Sequence, residues 1–121
     1  MSLTFEYAQD FVQDWLASWN EHDLDKILSH YTDDIEINSP IAANLFPESK
    51  GSINGIDAVR KYWAAGLMRN PELEFQLLDT LYGVESVTIY YLSKSRNTRV
   101  AETIFFNEEG KIQKAIVNYS A

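Results

Sequence analysis

A single acidic residue interrupts an apolar, strand-like segment near the end of the chain. Glu102 lies between Val100 and Ile104, and Phe106 continues the same face of the segment. A carboxylate among apolar neighbours is costly to ionise unless it is paired, and a raised pKa is the usual consequence. We therefore predict that Glu102 faces a pocket as the candidate catalytic group. An edge position, in contact with water or a basic side chain, is the alternative.

The other residues with catalytic or metal-binding side chains are not spaced as a known site. His22 and His30 flank one short predicted helix and do not form the close pair that metal ligation uses. Asp33 and Asp34 are adjacent, and neighbours on an extended chain point to opposite faces. The chain has no cysteine, glycine-rich phosphate loop or dinucleotide fingerprint. We predict no metal and no cofactor.

Composition and charge exclude several classes of partner. The 121 residues include 10 Lys+Arg and 18 Asp+Glu, for a formal net charge of −8. Such a balance repels phosphate backbones and anionic lipid, so we expect neither nucleic acid nor membrane as a partner. The N-terminus carries no visible secretory signal and no segment is long and apolar enough to span a bilayer. A cytoplasmic location is expected.

Amphipathic helices dominate the first half of the sequence. Trp15 and Trp19 lie on the apolar stripe of the first helix, which Thr4 is placed to cap. Asp23 is placed to cap the second helix, and Trp63 lies on the apolar stripe of the third. The predicted helices span residues 3–19, 24–28 and 56–67.

Strand-like segments with short polar connections dominate the second half and predict antiparallel hairpins. The predicted strands span residues 35–38, 73–82, 87–93, 99–106 and 112–119. Residues 31–34 are predicted to form a turn, and residues 41–55 a long loop, of the kind that often covers a binding site. This order predicts one α+β domain over residues 1–121.

Several short segments resemble the SnoaL-like and ketosteroid-isomerase-like domains of the nuclear transport factor 2 superfamily. These segments are Trp19–Ile27, Tyr31–Glu36, Ser39–Pro40, Gly55–Trp63 and Phe105–Ile112. The resemblance implies a cone in which a strongly curved antiparallel or mixed sheet packs against three N-terminal helices around an apolar pocket.

The resemblance also assigns catalytic positions. Ketosteroid isomerases use a tyrosine and a protonated aspartic acid as an oxyanion hole and a further aspartate as the base. These positions fall on Trp15, Glu102 and Ser39, respectively. A serine hydroxyl does not take up a proton near neutral pH without a partner base, so the ketosteroid-isomerase mechanism is not expected. Trp15 remains a candidate N–H donor and Glu102 a candidate acid.

The predicted pocket combines aromatic rings with a few polar groups. Its predicted residues are Trp15, Trp19, Tyr31, Asn38, Ser39, Trp63, Tyr91, Glu102, Val117 and Tyr119. One hypothesis is an isomerase- or cyclase-type enzyme acting on a small apolar ligand that carries a carbonyl group. The alternative is a non-catalytic domain that binds an apolar ligand or serves in assembly.

A second surface is predicted on the outside of the sheet. Thr88, Tyr90, Thr103 and Phe105 give this face an aromatic and β-branched character. Such a face is too apolar to leave bare, so we expect a homodimer through the sheet, and the resemblance points the same way.

Overall fold

Helices and strands alternate in the first half of the chain, and strands alone follow in the second. The computed structural model describes residues 3–120. The elements are α1 (Phe5–Asn20), α2 (Leu24–Leu28), β1 (Tyr31–Asn38), α3 (Pro40–Leu45), a 3₁₀ turn (Pro47–Ser49), β2 (Ser52–Asn54), α4 (Ile56–Arg69), β3 (Phe75–Tyr82), β4 (Ser86–Ser93), β5 (Thr98–Phe106) and β6 (Ile112–Tyr119).

The predicted caps begin the first two helices. The Thr4 side chain accepts a hydrogen bond from the backbone N–H of Tyr7, and the Asp23 side chain accepts one from Lys26. Each cap satisfies a backbone donor that the first helical turn leaves unpaired. Both capping predictions are confirmed.

All six strands form one sheet in the order β2-β1-β6-β5-β4-β3. The β1–β6 pair is parallel and the other pairs are antiparallel. The register shifts within β1–β6, β3–β4 and β5–β6, and such bulges bend a sheet and increase its twist. The curled sheet and the helices against it confirm the predicted α+β cone. Within residues 3–120, no helix combines the length and the apolar character that crossing a membrane requires.

Two local predictions were wrong. The segment 31–34 belongs to β1, where the shift in register between Tyr31 and Glu36 explains a polar run that resembles a turn. Residues 41–55 are not an open loop, because they contain most of α3, the 3₁₀ turn and β2. Ser39 caps α3 by accepting from the N–H of Ile41, and Pro40 occupies the first helical turn, where its missing N–H costs nothing.

Asn20 fixes the end of α1 to the beginning of β3. Its side-chain amide donates to the carbonyl of Phe75 at 3.0 Å, and its side-chain oxygen accepts from the Phe75 N–H at 2.7 Å. The His22 ring contacts the Leu73 carbonyl at 2.8 Å beside this pair. These bonds hold the edge strand of the sheet against the helix that carries Trp19.

We predict that Asn20→Ala lowers the free energy of unfolding by about 1–2 kcal/mol, because two hydrogen bonds to the β3 backbone are lost. Urea unfolding followed by tryptophan fluorescence measures this. Gln13→Ala, an exposed change on the same helix, is the control and is expected to shift stability by less than about 0.5 kcal/mol. Equal stability of the two variants would contradict a clamping role for Asn20.

Candidate functional site

A cavity of about 100 Å³ opens between the concave face of the sheet and helices α1 and α4. Its walls are mostly aromatic and aliphatic, with a few polar groups. The lining residues are Trp19, Ile37, Ile41, Tyr62, Trp63, Gly66, Asn70, Leu73, Phe75, Tyr91, Ser93, Arg96, Val100, Glu102, Val117 and Tyr119.

The carboxyl group of Glu102 lies on the inner face of the sheet and lines this cavity. Strand pairing places it between Ile89 on β4 and Val117 on β6, and the residue is only 6% exposed. The Tyr91 hydroxyl donates a hydrogen bond to Glu102 Oε1 at 3.0 Å. The ion pairs found within residues 3–120 all use other carboxylates. Glu102 is therefore a buried acid whose partner is a neutral phenol.

Burial changes the acidity of this pair. Loss of hydration raises the pKa of Glu102 to about 7, and the hydrogen bond from Tyr91 partly offsets that rise. The pKa of Tyr91 is raised well above its usual value by burial and by the nearby Glu102 carboxyl. Glu102 thus titrates near neutral pH while Tyr91 remains a hydrogen-bond donor, which suits Glu102 to either accept or donate a proton.

Trp15 and Tyr31 form a layer behind the cavity wall. The Trp15 side chain is fully buried, and its Nε1–H donates to the Tyr31 hydroxyl at 2.9 Å. The Trp15 ring packs against Tyr91 and Phe75, with centroids 5.6 and 6.2 Å apart. The indole N–H is already bonded within the protein, so Trp15 supports the wall and does not present a donor to the cavity.

Two tyrosines of the cavity wall form a hydroxyl cluster with Ser39, which lies outside the lining. Tyr62 donates to Ser39 Oγ at 3.2 Å, and the same oxygen accepts from the Ile41 N–H. Ser39 is also close enough to Tyr119 to act on the pKa of that phenol. Burial raises the pKa of both Tyr62 and Tyr119, so both phenols stay protonated. Ser39 therefore organises hydroxyl groups at the position where the resemblance expected a base.

The cavity brings together part of the predicted pocket. Predicted residues that line it are Trp19, Trp63, Tyr91, Glu102, Val117 and Tyr119. Predicted residues outside its lining are Trp15, Tyr31, Asn38 and Ser39. Asn38 is a correction that follows from strand alternation: Ile37 and Ser39 are buried on the inner face, whereas Asn38 faces outward and donates to Glu36 Oε2 at 3.1 Å.

The SnoaL-like domain model matches residues 12–114 of this sequence. The chain belongs to the SnoaL-like family. It is similar to a SnoaL-like protein of unknown function from Burkholderia thailandensis, with 36% identity, all of both chains covered and a TM-score of 0.94. No curated protein sequence matches the chain.

More distant structures share the fold. The epoxide hydrolase/cyclase-like enzyme SalBIII, which has a role in pyran ring formation in the polyether salinomycin, is 20% identical, with 95% of this chain and 92% of that chain covered and a TM-score of 0.72. A protein of unknown function with a cystatin-like fold from Methylobium petroleophilum is 14% identical, with 100% and 80% covered and a TM-score of 0.77.

Several cavity residues of this SnoaL-like chain were missed from the sequence. Phe75 begins β3 in phase with the inner face, and Tyr62 precedes Trp63 on α4, so strand and helix periodicity contained a signal for both. Arg96 had no such signal, because it lies in the turn between β4 and β5 and reaches the cavity only through the curl of the sheet.

We predict that Glu102 makes the protein less stable as the pH rises from about 4.5 towards 7. The carboxyl ionises near its ordinary value of 4.5 when unfolded and near 7 when folded, so stability present below 4.5 is lost across this interval and the loss levels off above it. The free energy of unfolding should fall by up to about 3 kcal/mol in total across this interval. Urea unfolding at a series of pH values measures it.

Glu102→Gln is the matched control for this pH dependence. The amide keeps the shape of the side chain but does not titrate, so the stability of wild type relative to the variant should fall as the pH rises across that interval. Parallel stability curves for the two proteins between pH 4 and 8 would contradict a raised pKa of Glu102.

Proposed function

We propose that this SnoaL-like protein is an enzyme that moves a proton on a small, apolar, carbonyl-bearing molecule, with Glu102 as the acid and base. The observation that carries the proposal is the Glu102 carboxyl, which faces a cavity, accepts a hydrogen bond from Tyr91 and has a pKa near 7. A group that titrates near the working pH is suited both to remove and to return a proton.

The step begins with removal of a proton from a carbon next to the carbonyl. Glu102 Oε accepts the proton, the C–H electron pair moves into a new C=C bond, and the carbonyl oxygen becomes an enolate oxygen. If a second C=C bond is conjugated with the enolate, return of the proton from Glu102 to the far carbon of that bond gives an isomer. If the enolate carbon instead attacks a second carbonyl carbon of the same molecule, a ring closes, the C=O electron pair moves onto the oxygen, and that oxygen takes the proton from Glu102.

The single carboxyl in the cavity lining distinguishes this site from the two-acid arrangement of ketosteroid isomerases. Ser39 stands at the expected base position and its oxygen is occupied by Tyr62 and the Ile41 N–H. Glu102 must therefore both accept and return the proton. The likeness of fold to SalBIII, described as epoxide hydrolase/cyclase-like, fits a reaction of the cyclase type.

We predict that Glu102→Gln slows proton exchange about 10²–10⁴-fold, because the amide cannot accept the proton. The probe is 2-tetralone, an apolar ketone, and the measurement is enzyme-dependent exchange of its C1 protons with deuterium, followed by NMR. Glu109→Gln, on the exposed turn before β6, is the control and should keep the wild-type rate.

The pH dependence of the exchange rate separates catalysis from a structural effect. The wild-type rate should rise with an apparent pKa near 7. The hydrogen bond from Tyr91 lowers the pKa of Glu102. In Tyr91→Phe, the rise of the exchange rate should therefore occur at higher pH. Exchange that is equally fast in Glu102→Gln, or absent in wild type, would contradict the proposal and favour non-catalytic ligand binding.

Assembly through the sheet is a second proposed role. The helices pack against the concave side, which leaves the opposite face with half-buried apolar side chains such as Tyr90, Leu92, Phe105 and Ile116. Thr88 and Thr103 lie at the centre of this face and hydrogen bond to each other at 2.9 Å. A second copy of the same face would cover these groups, as the two-fold symmetry of most homodimers requires.

We predict that wild type is a dimer and that Thr103→Arg converts it to a monomer, because the change places two like charges in the centre of a symmetric interface. Light scattering coupled to size-exclusion chromatography measures the mass. Gln13→Arg, on the exposed side of α1, adds the same charge elsewhere and should remain dimeric. A monomeric wild type, or a dimeric Thr103→Arg, would contradict this interface.

A further inference from the structure

The cavity has one basic residue in its lining, and this residue lies at its mouth. Arg96 is exposed in the turn between β4 and β5, whereas Glu102 lies deep on the inner face of the sheet. Asn70, at the end of α4, also lines the cavity. The cavity lining thus has an acid inside and a cation where a ligand enters.

The guanidinium of Arg96 is not used to neutralise a carboxylate. Within residues 3–120 the ion pairs join Lys26–Glu21, Arg60–Asp25, Lys94–Glu74 and Lys114–Glu36. Lys94, a neighbour in the same turn, is held by Glu74 at 3.0 Å. In a chain with a net charge of −8, a cation left without a carboxylate partner at a cavity mouth is free to bind an external anion.

The turn that carries Arg96 is held in place by hydrogen bonds. The Arg96 N–H donates to the Ser93 carbonyl, the Asn97 N–H donates to the Lys94 carbonyl, and the Thr98 hydroxyl donates to the Arg96 carbonyl at 3.1 Å. Asn97 adopts a positive φ of 51°, a conformation that asparagine tolerates well. The backbone at Arg96 is therefore fixed before any ligand arrives, which reduces the ordering cost of binding.

Two hydroxyl groups share the cavity lining with the Arg96 guanidinium. Tyr62 and Tyr119 both line the cavity, and the charge of Arg96 is close enough to act on the pKa of each phenol. Ser39 Oγ accepts from Tyr62 and from the Ile41 N–H, which uses both of its lone pairs. Both acceptor positions of Ser39 are therefore taken, so Tyr119, which lies near Ser39, finds no acceptor there. This arrangement leaves the Tyr119 proton free for a ligand.

We propose that the cavity binds a small apolar carboxylic acid, with its carboxylate at Arg96 and Tyr119 and its apolar body against Trp19, Trp63 and Phe75. A guanidinium and a phenol donate hydrogen bonds that a carboxylate accepts well. One unpaired cation matches one negative charge, whereas a phosphate dianion would carry an uncompensated charge into an apolar cavity. This inference deepens the proposed function, on which it rests, by naming the substrate class as apolar keto acids.

The test compares two ligands of the same shape and different charge, 2-naphthoate and 2-naphthamide, by isothermal titration calorimetry. Wild type should bind the acid about tenfold more tightly than the amide, as expected for a charge-assisted hydrogen bond. Arg96→Gln should weaken naphthoate about tenfold and leave naphthamide unchanged, and Tyr119→Phe should weaken naphthoate selectively by a smaller factor.

Two control variants assign the effect to the mouth of the cavity. Arg99→Gln removes the same charge from β5, where the guanidinium contacts the Tyr90 hydroxyl at 3.5 Å, and should keep the preference for the acid. Gly66 lines the cavity and has open space where a side chain would begin, so Gly66→Leu should weaken both ligands without unfolding α4. Glu102→Gln should retain the preference for the acid while losing proton exchange on 2-tetralone.

The outcomes separate failure of this inference from failure of the proposed function. Equal binding of acid and amide by wild type, or an unchanged preference in Arg96→Gln, would overturn the carboxylate subsite and leave the proton-transfer proposal standing. No binding of naphthoate at millimolar concentration would also overturn the subsite, and the exchange of 2-tetralone protons then tests the enzyme separately. Loss of exchange with retained acid preference would overturn only the catalytic proposal.

Discussion

The burial of one carboxyl group on the inner face of the sheet constrains the rest of this structure. Glu102 loses its hydration between Ile89 and Val117 and is compensated by a single hydrogen bond from Tyr91. An isolated carboxylate in such surroundings is strongly disfavoured, so the group is held as an acid that ionises near neutral pH. The fold tolerates this cost because the hydrophobic contacts around it are extensive.

Those contacts come from two aromatic layers. Trp19, Trp63 and Phe75 form the cavity wall, with the Trp19 and Trp63 rings 5.1 Å apart in an edge-to-face arrangement. Trp15 and Tyr31 form the layer behind it, where the Trp15 N–H donates to the Tyr31 hydroxyl. The rear layer keeps the front layer rigid, because a ring that is fully buried and hydrogen bonded has few alternative positions. The site therefore depends on residues that do not touch the cavity.

Much of this arrangement could be predicted from hydrophobic periodicity and residue type. Local sequence rules predict three features: the stripe of tryptophans on α1, the caps at Thr4 and Asp23, and the inward orientation of Glu102. These features do not depend on residues distant in sequence. The same alternation, applied to β1, would have placed Asn38 outside the site next to inward-facing Ser39. The turn predicted at residues 31–34 failed for a different reason, because polar residues at a bulge resemble those of a turn.

The role of individual donors was not predictable in the same way, because it depends on partners distant in sequence. Trp15 has the residue type of an oxyanion donor, yet its N–H is committed to Tyr31, sixteen positions later along the chain. Arg96 has the residue type of an ordinary surface cation, yet the curl of the sheet brings its turn to the cavity mouth. Both assignments require knowing which hydrogen-bonding groups are already satisfied, and that is a property of the tertiary structure.

The positions of the two charged groups bear on how a ligand would be oriented. A deep acid that is neutral below pH 7 accepts an apolar group beside it without an unpaired charge, and a cation at the mouth stays hydrated until an anion replaces the water. A ligand with an acidic end has one favourable direction of entry, because the reverse pose would bring its carboxylate towards Glu102 and away from Arg96. The separation of acid and cation would thus determine which end of such a ligand reaches Glu102, and orientation of this kind is a large part of what an enzyme contributes to rate.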